Sequence, residues 1–156
     1  MGRSGFTVVE EGHLVTLLAP VDVAAATSSE VISMENWSHV TFICMKGVGS
    51  VGTVQLEECT SFAGAGAATR VFNYCTEDTA SGDTMDAALT AAGTAGIAID
   101  SDTGTLLVIE LDADELTDGY PYVRLKVSAT GASIQAWLAV LSGGRYQKDI
   151  TATAIV

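Results

Sequence analysis

Hydrophobic and polar positions alternate along much of this chain. In residues 39–45, Val40, Phe42 and Cys44 fall on one side of an extended backbone, and Thr41, Ile43 and Met45 fall on the other. Successive side chains of a strand point to opposite faces, so this pattern predicts a strand. Residues 53–59 repeat it, with Val54 and Leu56 inward and Thr53, Gln55 and Glu57 outward. Glu58 interrupts the rhythm before Cys59, which predicts a bulge. The glycine-rich Gly47-Val48-Gly49-Ser50 between these segments predicts a turn, and the two together a hairpin. Residues 123–127 alternate most strictly: Val123, Leu125 and Val127 in, Arg124 and Lys126 out. Residues 133–141 place Ile134, Ala136, Leu138 and Val140 on one face and Trp137 on the other. Through a turn at Thr130-Gly131 they are expected to close a last hairpin. Residues 105–111 are apolar on both faces, as in a central strand.

The remaining segments carry weaker patterns. Residues 13–19 predict a first strand, and residues 21–25 and 29–34 two more, with a bend at Thr27-Ser28. Residues 35–38 read as a connection and 61–68 as a small-residue loop, followed by a strand over 68–76. Residues 83–92 fit either a short helix capped by Asp83 or a strand, and the surrounding threonines and glycines favour the strand. Residues 112–119 read as a turn holding one short helical turn. Together these give roughly eight to ten short strands, the pattern of a single-domain β-sandwich, all-β and jelly-roll-like. The expected organisation is an N-terminal arm over 1–12, the sandwich over 13–143 and a C-terminal tail over 144–156 that docks on a neighbour.

Composition supports one core. Of 156 residues, 48% are hydrophobic and 17% charged, too apolar for a disordered chain. Sixteen glycines against two prolines suit strands and tight reversals. The net charge of -12 repels phosphate backbones, so nucleic acid is not an expected partner. No apolar run approaches the roughly 20 residues of a membrane span, and no membrane partner is expected. The start lacks the basic-then-apolar order of a signal peptide. Cys44, Cys59 and Cys75 are odd in number and form no C-x-x-C, which argues against a disulfide framework or structural zinc. Cys44 reads as a small core residue.

Catalytic chemistry has little to stand on. His13 and His39 sit in no recognisable motif and read as exposed or strand-edge residues. The expectation is therefore a chain that is not an enzyme, with no catalytic, cofactor or metal site. Asp100-Ser101-Asp102-Thr103-Gly104 has carboxylates spaced for calcium, but its glycine comes one place early for an EF-hand loop, and the same residues make an ordinary β-turn. Asn36-Trp37-Ser38 matches a glycosylation sequon. Trp37 and Trp137 offer a sugar-stacking platform, or, for Trp137, an anchor against a partner subunit or a second layer.

Residues 110–146 carry a resemblance. A strand ends in an acidic turn, and Asp118-Gly119-Tyr120-Pro121-Tyr122-Val123-Arg124 leads into the next. The closing strand then exits through Leu141-Ser142-Gly143-Gly144-Arg145-Tyr146. The Leu17-Leu18-Ala19-Pro20 step fits the same pattern near the start. In these features the chain resembles small structural proteins of tailed bacteriophages, above all head decoration (cement) proteins. The resemblance implies a virion protein made in the host cytoplasm, bound to the major capsid protein on the capsid surface and to itself as a homotrimer or homodimer. Expected contact residues are Phe6 in the arm, Trp37 and Trp137, and Arg145, Tyr146 and Lys148 at the exit and in the tail. The alternatives are another virion component (tail, neck or fibre) and a carbohydrate-binding adhesion module.

Overall fold

The computed structural model describes residues 7–78, 82, 84–99, 104–128, 131–145 and 154–155. A helical turn, α1 (Val8–Glu11), leads into strands β1 (Gly12–Asp22), β2 (Thr27–Ser28), β3 (Ile32–Ser33), β4 (Trp37–Gly49) and β5 (Thr53–Cys59). Then come β6 (Ala68–Arg70), β7 (Phe72–Asp78), β8 (Thr84–Met85), β9 (Thr90–Ala92) and β10 (Ile97–Ala98). β11 (Thr105–Asp112), a 3-10 turn (Ala113–Glu115), β12 (Tyr122–Ser128) and β13 (Ser133–Gly144) complete the order.

Two antiparallel sheets face each other, as expected for an all-β sandwich. The seven-stranded sheet runs β1-β13-β4-β11-β7-β8, with β9 also on β7. The six-stranded sheet runs β10-β5-β12-β2, with β3 also on β12 and β6 on β5. Most connections cross from one sheet to the other. The four strands β1-β13-β4-β11 lie over β2/β3-β12-β5-β10, which is jelly-roll order.

That crossing overturns both expected hairpins. β4 pairs with β13 and β11, and β5 pairs with β12, β6 and β10. β12 and β13 likewise lie in opposite sheets. Alternation identifies a strand but not its partner, and here the short turns step between layers.

The bulge expected at Glu58 is also absent. β5 stays in register with β12 from Thr53↔Ser128 to Cys59↔Tyr122. Glu58 instead lies beside Val123 on the inward face, where Arg70 and the Thr117 backbone N–H satisfy its carboxylate. Register shifts occur in β1, either side of Leu18, and at the start of β13.

Other boundaries move. β1 absorbs Val21 and Asp22, the expected strand over 29–34 shrinks to β3, and Trp37 opens β4. β8 and β9 bear out the strand reading of 83–92, although Asp83 lies outside the described residues. The helical turn after β11 is present and carries a capping box between Asp112 and Glu115.

The core fills the space between the sheets. Phe42, Leu56, Leu107, Ile109, Leu125 and Trp137 are all fully buried. Each such side chain contributes about 1.5–3 kcal/mol of transfer free energy. One end of the core is polar: Lys46 lies in register with Thr105 and Gln135, and all three are buried. There the Trp137 indole Nε1–H donates to Gln135 Oε1 (3.1 Å), and Gln135 Nε2 donates to Ser133 Oγ (3.3 Å). Part of the tail packs on its own chain: Ala154 is buried, and its carbonyl accepts the Ser33 N–H at 2.9 Å.

Candidate docking face

The outer surfaces of the two sheets differ in chemistry. On the six-stranded sheet, β5 and β12 present Glu57 opposite Arg124, with Lys126 nearby. Arg124 Nε donates to Glu57 Oε2 at 2.7 Å, and Lys126 Nζ to Glu57 Oε1 at 3.4 Å. Glu57 points outward, as its parity predicts, yet the two cations close over it and leave it buried. At the edge of this sheet Arg70 reaches the inward-facing Glu58 and also donates to Thr117 Oγ1 and the Glu115 carbonyl. This side is polar, and its charges are largely matched.

The outer surface of the seven-stranded sheet is mostly apolar over its central strands. Pairing register lays its side chains out in rows across the strands. One row runs Leu14, Val140, Thr41, Glu110, Asn73. The next runs Thr16, Leu138, Ile43, Val108, Cys75. The third runs Ala136, Met45, Leu106, Glu77, Met85. Leu14, Met45 and Met85 are each 53% exposed, and Leu138 and Ile134 are each 43% exposed. Leu14, Leu138, Met45 and Ile134 lie on the neighbouring strands β1, β13 and β4 and form one group, whereas Met85 stands at the far edge beyond the buried Glu77.

Strand spacing gives the size of this face. Four gaps separate β1 from β7, at about 4.8 Å each, and Thr41 to Gly47 spans roughly 20 Å. The whole plane, polar positions included, is therefore on the order of 400 Å², an upper bound on its exposed apolar area that falls within the size of the largest apolar patch on a typical monomer.

A charged cluster bounds one end. His39 lies opposite Asp112 in register, with Glu110 two residues along β11. Asp112 Oδ1 sits 2.7 Å from His39 Nδ1, and Glu110 Oε2 sits 2.7 Å from Nε2. Thr41 Oγ1 donates to the same Glu110 oxygen at 2.8 Å. Two carboxylates on the two ring nitrogens call for N–H donors at both, which is the imidazolium form. Partial burial lowers the ring's affinity for its proton. Hydrogen bonding and charge attraction from Asp112 and Glu110 outweigh this and raise the pKa above its ordinary value. The carboxylates flank the ring on opposite sides instead of converging on one point. Among the described residues no group of three or more His, Cys, Asp or Glu side chains is placed to hold a metal ion.

The residues that sequence reasoning put forward as contacts are not brought together. Trp137 is fully buried between the sheets because its strand parity points it inward, toward the second layer and not toward a partner. Trp37 is buried as well, and its ring stacks on His13 at 5.7 Å between centroids. With both indoles in the core, no tryptophan platform exists for a sugar. His13 is thus a packing residue, and His39 is an ion-paired one. Arg145 is exposed beside a cleft of about 280 Å³ lined by Glu35, Leu116 and Tyr120, and its N–H bonds the Asn36 carbonyl. Phe6, Tyr146 and Lys148 lie outside the described residues, as does the carboxylate run of 100–103.

Leu14, Met45 and Leu138 were missed as candidates. Their signal was present in β1, β4 and β13, which carry apolar residues at both parities. No family model matches this chain, no curated protein matches it, and no solved structure matches it.

Proposed function

We propose that this protein is a binding and assembly module that docks through the outer face of its seven-stranded sheet. In its fullest form the proposal is a head decoration protein, which binds the outside of a tailed-bacteriophage capsid and stabilises it. The apolar outer face carries the reading: a sandwich that needed only to be soluble would present polar side chains there, as its other sheet does. The phage-like pattern of residues 110–146 supplies the more specific half of the proposal. Double-sheet jelly rolls are used by viral capsid domains and by lectins alike, so the fold is compatible with this role without fixing it.

Cement function requires binding and no bond chemistry. A ligand of one shell state stabilises that state by mass action. The face itself offers on the order of 400 Å², about half of the ~800 Å² per partner of a standard stable interface. One face docking alone is therefore weak. A homotrimer or homodimer that presents several faces to the major capsid protein gains through effective concentration. A tail, neck or fibre component would use the same face and is the second reading. The glycan-binding reading rested on Trp37 and Trp137 and is left without its aromatic platform.

Immunogold labelling of virions with antibody to this chain separates these readings. Gold over the heads is the expected result. Gold along the tails would move the assignment to a tail component, and unlabelled particles would overturn the virion proposal altogether.

A further inference from the structure

We infer that the occupant of the apolar face is a protein surface with an apolar centre and a rim of Lys or Arg, not a second copy of this chain. This rests on the docking reading above and adds the chemistry of the partner. The warrant is the charge around the face. Glu110 and Asp112 stand at one end with a single cation, His39, between them. Asp22 is exposed at the other end, opposite Ile134, and its carboxylate accepts the Ser133 N–H at 2.9 Å. The exposed Glu10 and Glu11 of α1 lie just before β1, the edge strand of this sheet. Across all seven strands the lone Lys or Arg is Lys46, which is fully buried on the inward side in register with Gln135 and Thr105. Arg70, Arg124 and Lys126 belong to the other sheet and pair with Glu57 and Glu58 there. The face is thus apolar over its central strands and edged by carboxylates, with Glu77 set into its third row; among the described residues no Lys or Arg lies on it, and its His39 is already held between Glu110 and Asp112.

Two copies placed face to face would bring like rims together while each chain carries a net charge of -12. Like-charge juxtaposition across an interface is costly and slows encounter. A partner with basic groups around an apolar centre meets both properties of the face at once. The apolar centre supplies burial, and the rim supplies steering and orientation.

The test uses the full chain and three fluorescent amphipathic helical peptides that share one leucine face. Their flanking positions carry Lys, Glu or Ser, and a fourth peptide keeps the Lys flanks but has Ser in place of Leu. Binding is read by anisotropy at low and raised salt, and the chain's mass by analytical ultracentrifugation. The Lys-flanked leucine peptide should bind at least about ten-fold more tightly than the Glu-flanked one. That preference should shrink with salt and with Glu110→Gln/Asp112→Asn. The Lys-flanked serine peptide should not bind. Leu138→Glu should abolish binding of the Lys-flanked leucine peptide, although it adds a negative charge that would strengthen purely electrostatic attraction. Met45→Gln provides the same check with a milder change, and circular dichroism confirms the fold of each variant. Equal binding of all three leucine peptides, lost in Leu138→Glu, would leave the docking face standing and overturn the basic partner. A dimer that Leu138→Glu dissociates would make the second copy the occupant and overturn it too. Binding that neither Leu138→Glu nor Met45→Gln alters would bring down the docking face itself.

Discussion

Replacing Trp137 with Phe separates a core tryptophan from an interface tryptophan. The indole is fully buried, and its N–H bonds Gln135 Oε1 at 3.1 Å, with Gln135 itself 1% exposed. Two costs follow. The smaller ring loses on the order of 40 Å³, which at about 24 cal/mol per Å³ of unfilled cavity costs ~1 kcal/mol. The Gln135 oxygen then loses its donor where no solvent reaches it, and a buried unsatisfied polar group costs about 1–3 kcal/mol. The expected destabilisation is therefore about 2–4 kcal/mol, a large share of the ~5–15 kcal/mol that holds a typical domain folded. The second cost can be isolated. Gln135→Leu alone strands the indole N–H, whereas the double variant removes donor and acceptor together. The Trp137→Phe/Gln135→Leu pair should thus be more stable than the sum of the single effects by about 1–3 kcal/mol. Urea unfolding followed by far-ultraviolet circular dichroism measures all four proteins without relying on the missing indole. Strictly additive single effects would refute the buried hydrogen bond, and a Trp137→Phe protein as stable as its parent would refute the core assignment.

Further consequences follow from the charged clusters and the thiols. Because His39 titrates above its ordinary 6.5 in the folded chain, its clamp contributes fully below about that pH and is lost as pH rises through the raised value. Denaturant titrations of the parent and His39→Gln should show the parent's advantage at about pH 5.5 fading by about pH 9, and a gap that widens with pH would contradict the geometry. Glu57→Gln removes the carboxylate that Arg124 and Lys126 share. The expected loss is about 1–3 kcal/mol, below the ~3–5 kcal/mol of a fully buried pair because Lys126 remains 40% exposed. Thermal or urea unfolding of that variant provides the check. Burial holds the Cys44 thiol far above its usual range. It also raises Cys59, against a partial offset from Arg124, and Cys75, with help from Asp86 and Glu110. Ellman's reagent at about pH 8 should therefore label the folded protein slowly and the unfolded chain fully, with Cys44 reacting no faster than the protein opens.

Much of the fold was legible because it is local. Val40, Phe42 and Cys44, or Val123, Leu125 and Val127, announce an extended backbone and a shared face; the inward side was expected for the second set and for Cys44, and all six are buried. Pairing was not legible. Nothing in residues 39–59 distinguishes a hairpin from two strands that cross between layers, since both need the same alternation and the same glycine-rich turn. Glu58 shows the limit from the other side. A carboxylate at an inward position looks like a break in the pattern, because its partners, Arg70 and the Thr117 N–H, come from segments 12 and 59 residues away. Long-range satisfaction of a buried charge leaves no local trace.

The site was harder to see for a related reason. Large aromatics attract attention as interface anchors, but a sandwich has to fill the gap between its sheets. Inward parity sent Trp137 there, while Trp37 was packed away beneath His13. The informative signal was the opposite one, moderate apolar residues at positions where a two-layer fold has no second use for them. β11 reads as a central strand, apolar at both parities, and such a strand is at home between two covering layers. Here its inward residues, Leu107 and Ile109, meet the six-stranded sheet, while Leu106 and Val108 lie in rows with Met45, Leu138 and Ile43, of which Met45 and Leu138 stay exposed. On the docking reading proposed above, a partner's surface supplies the layer that the chain does not build. Which parity stays open depends on the other sheet's position, and that is settled only once the long-range pairing is known.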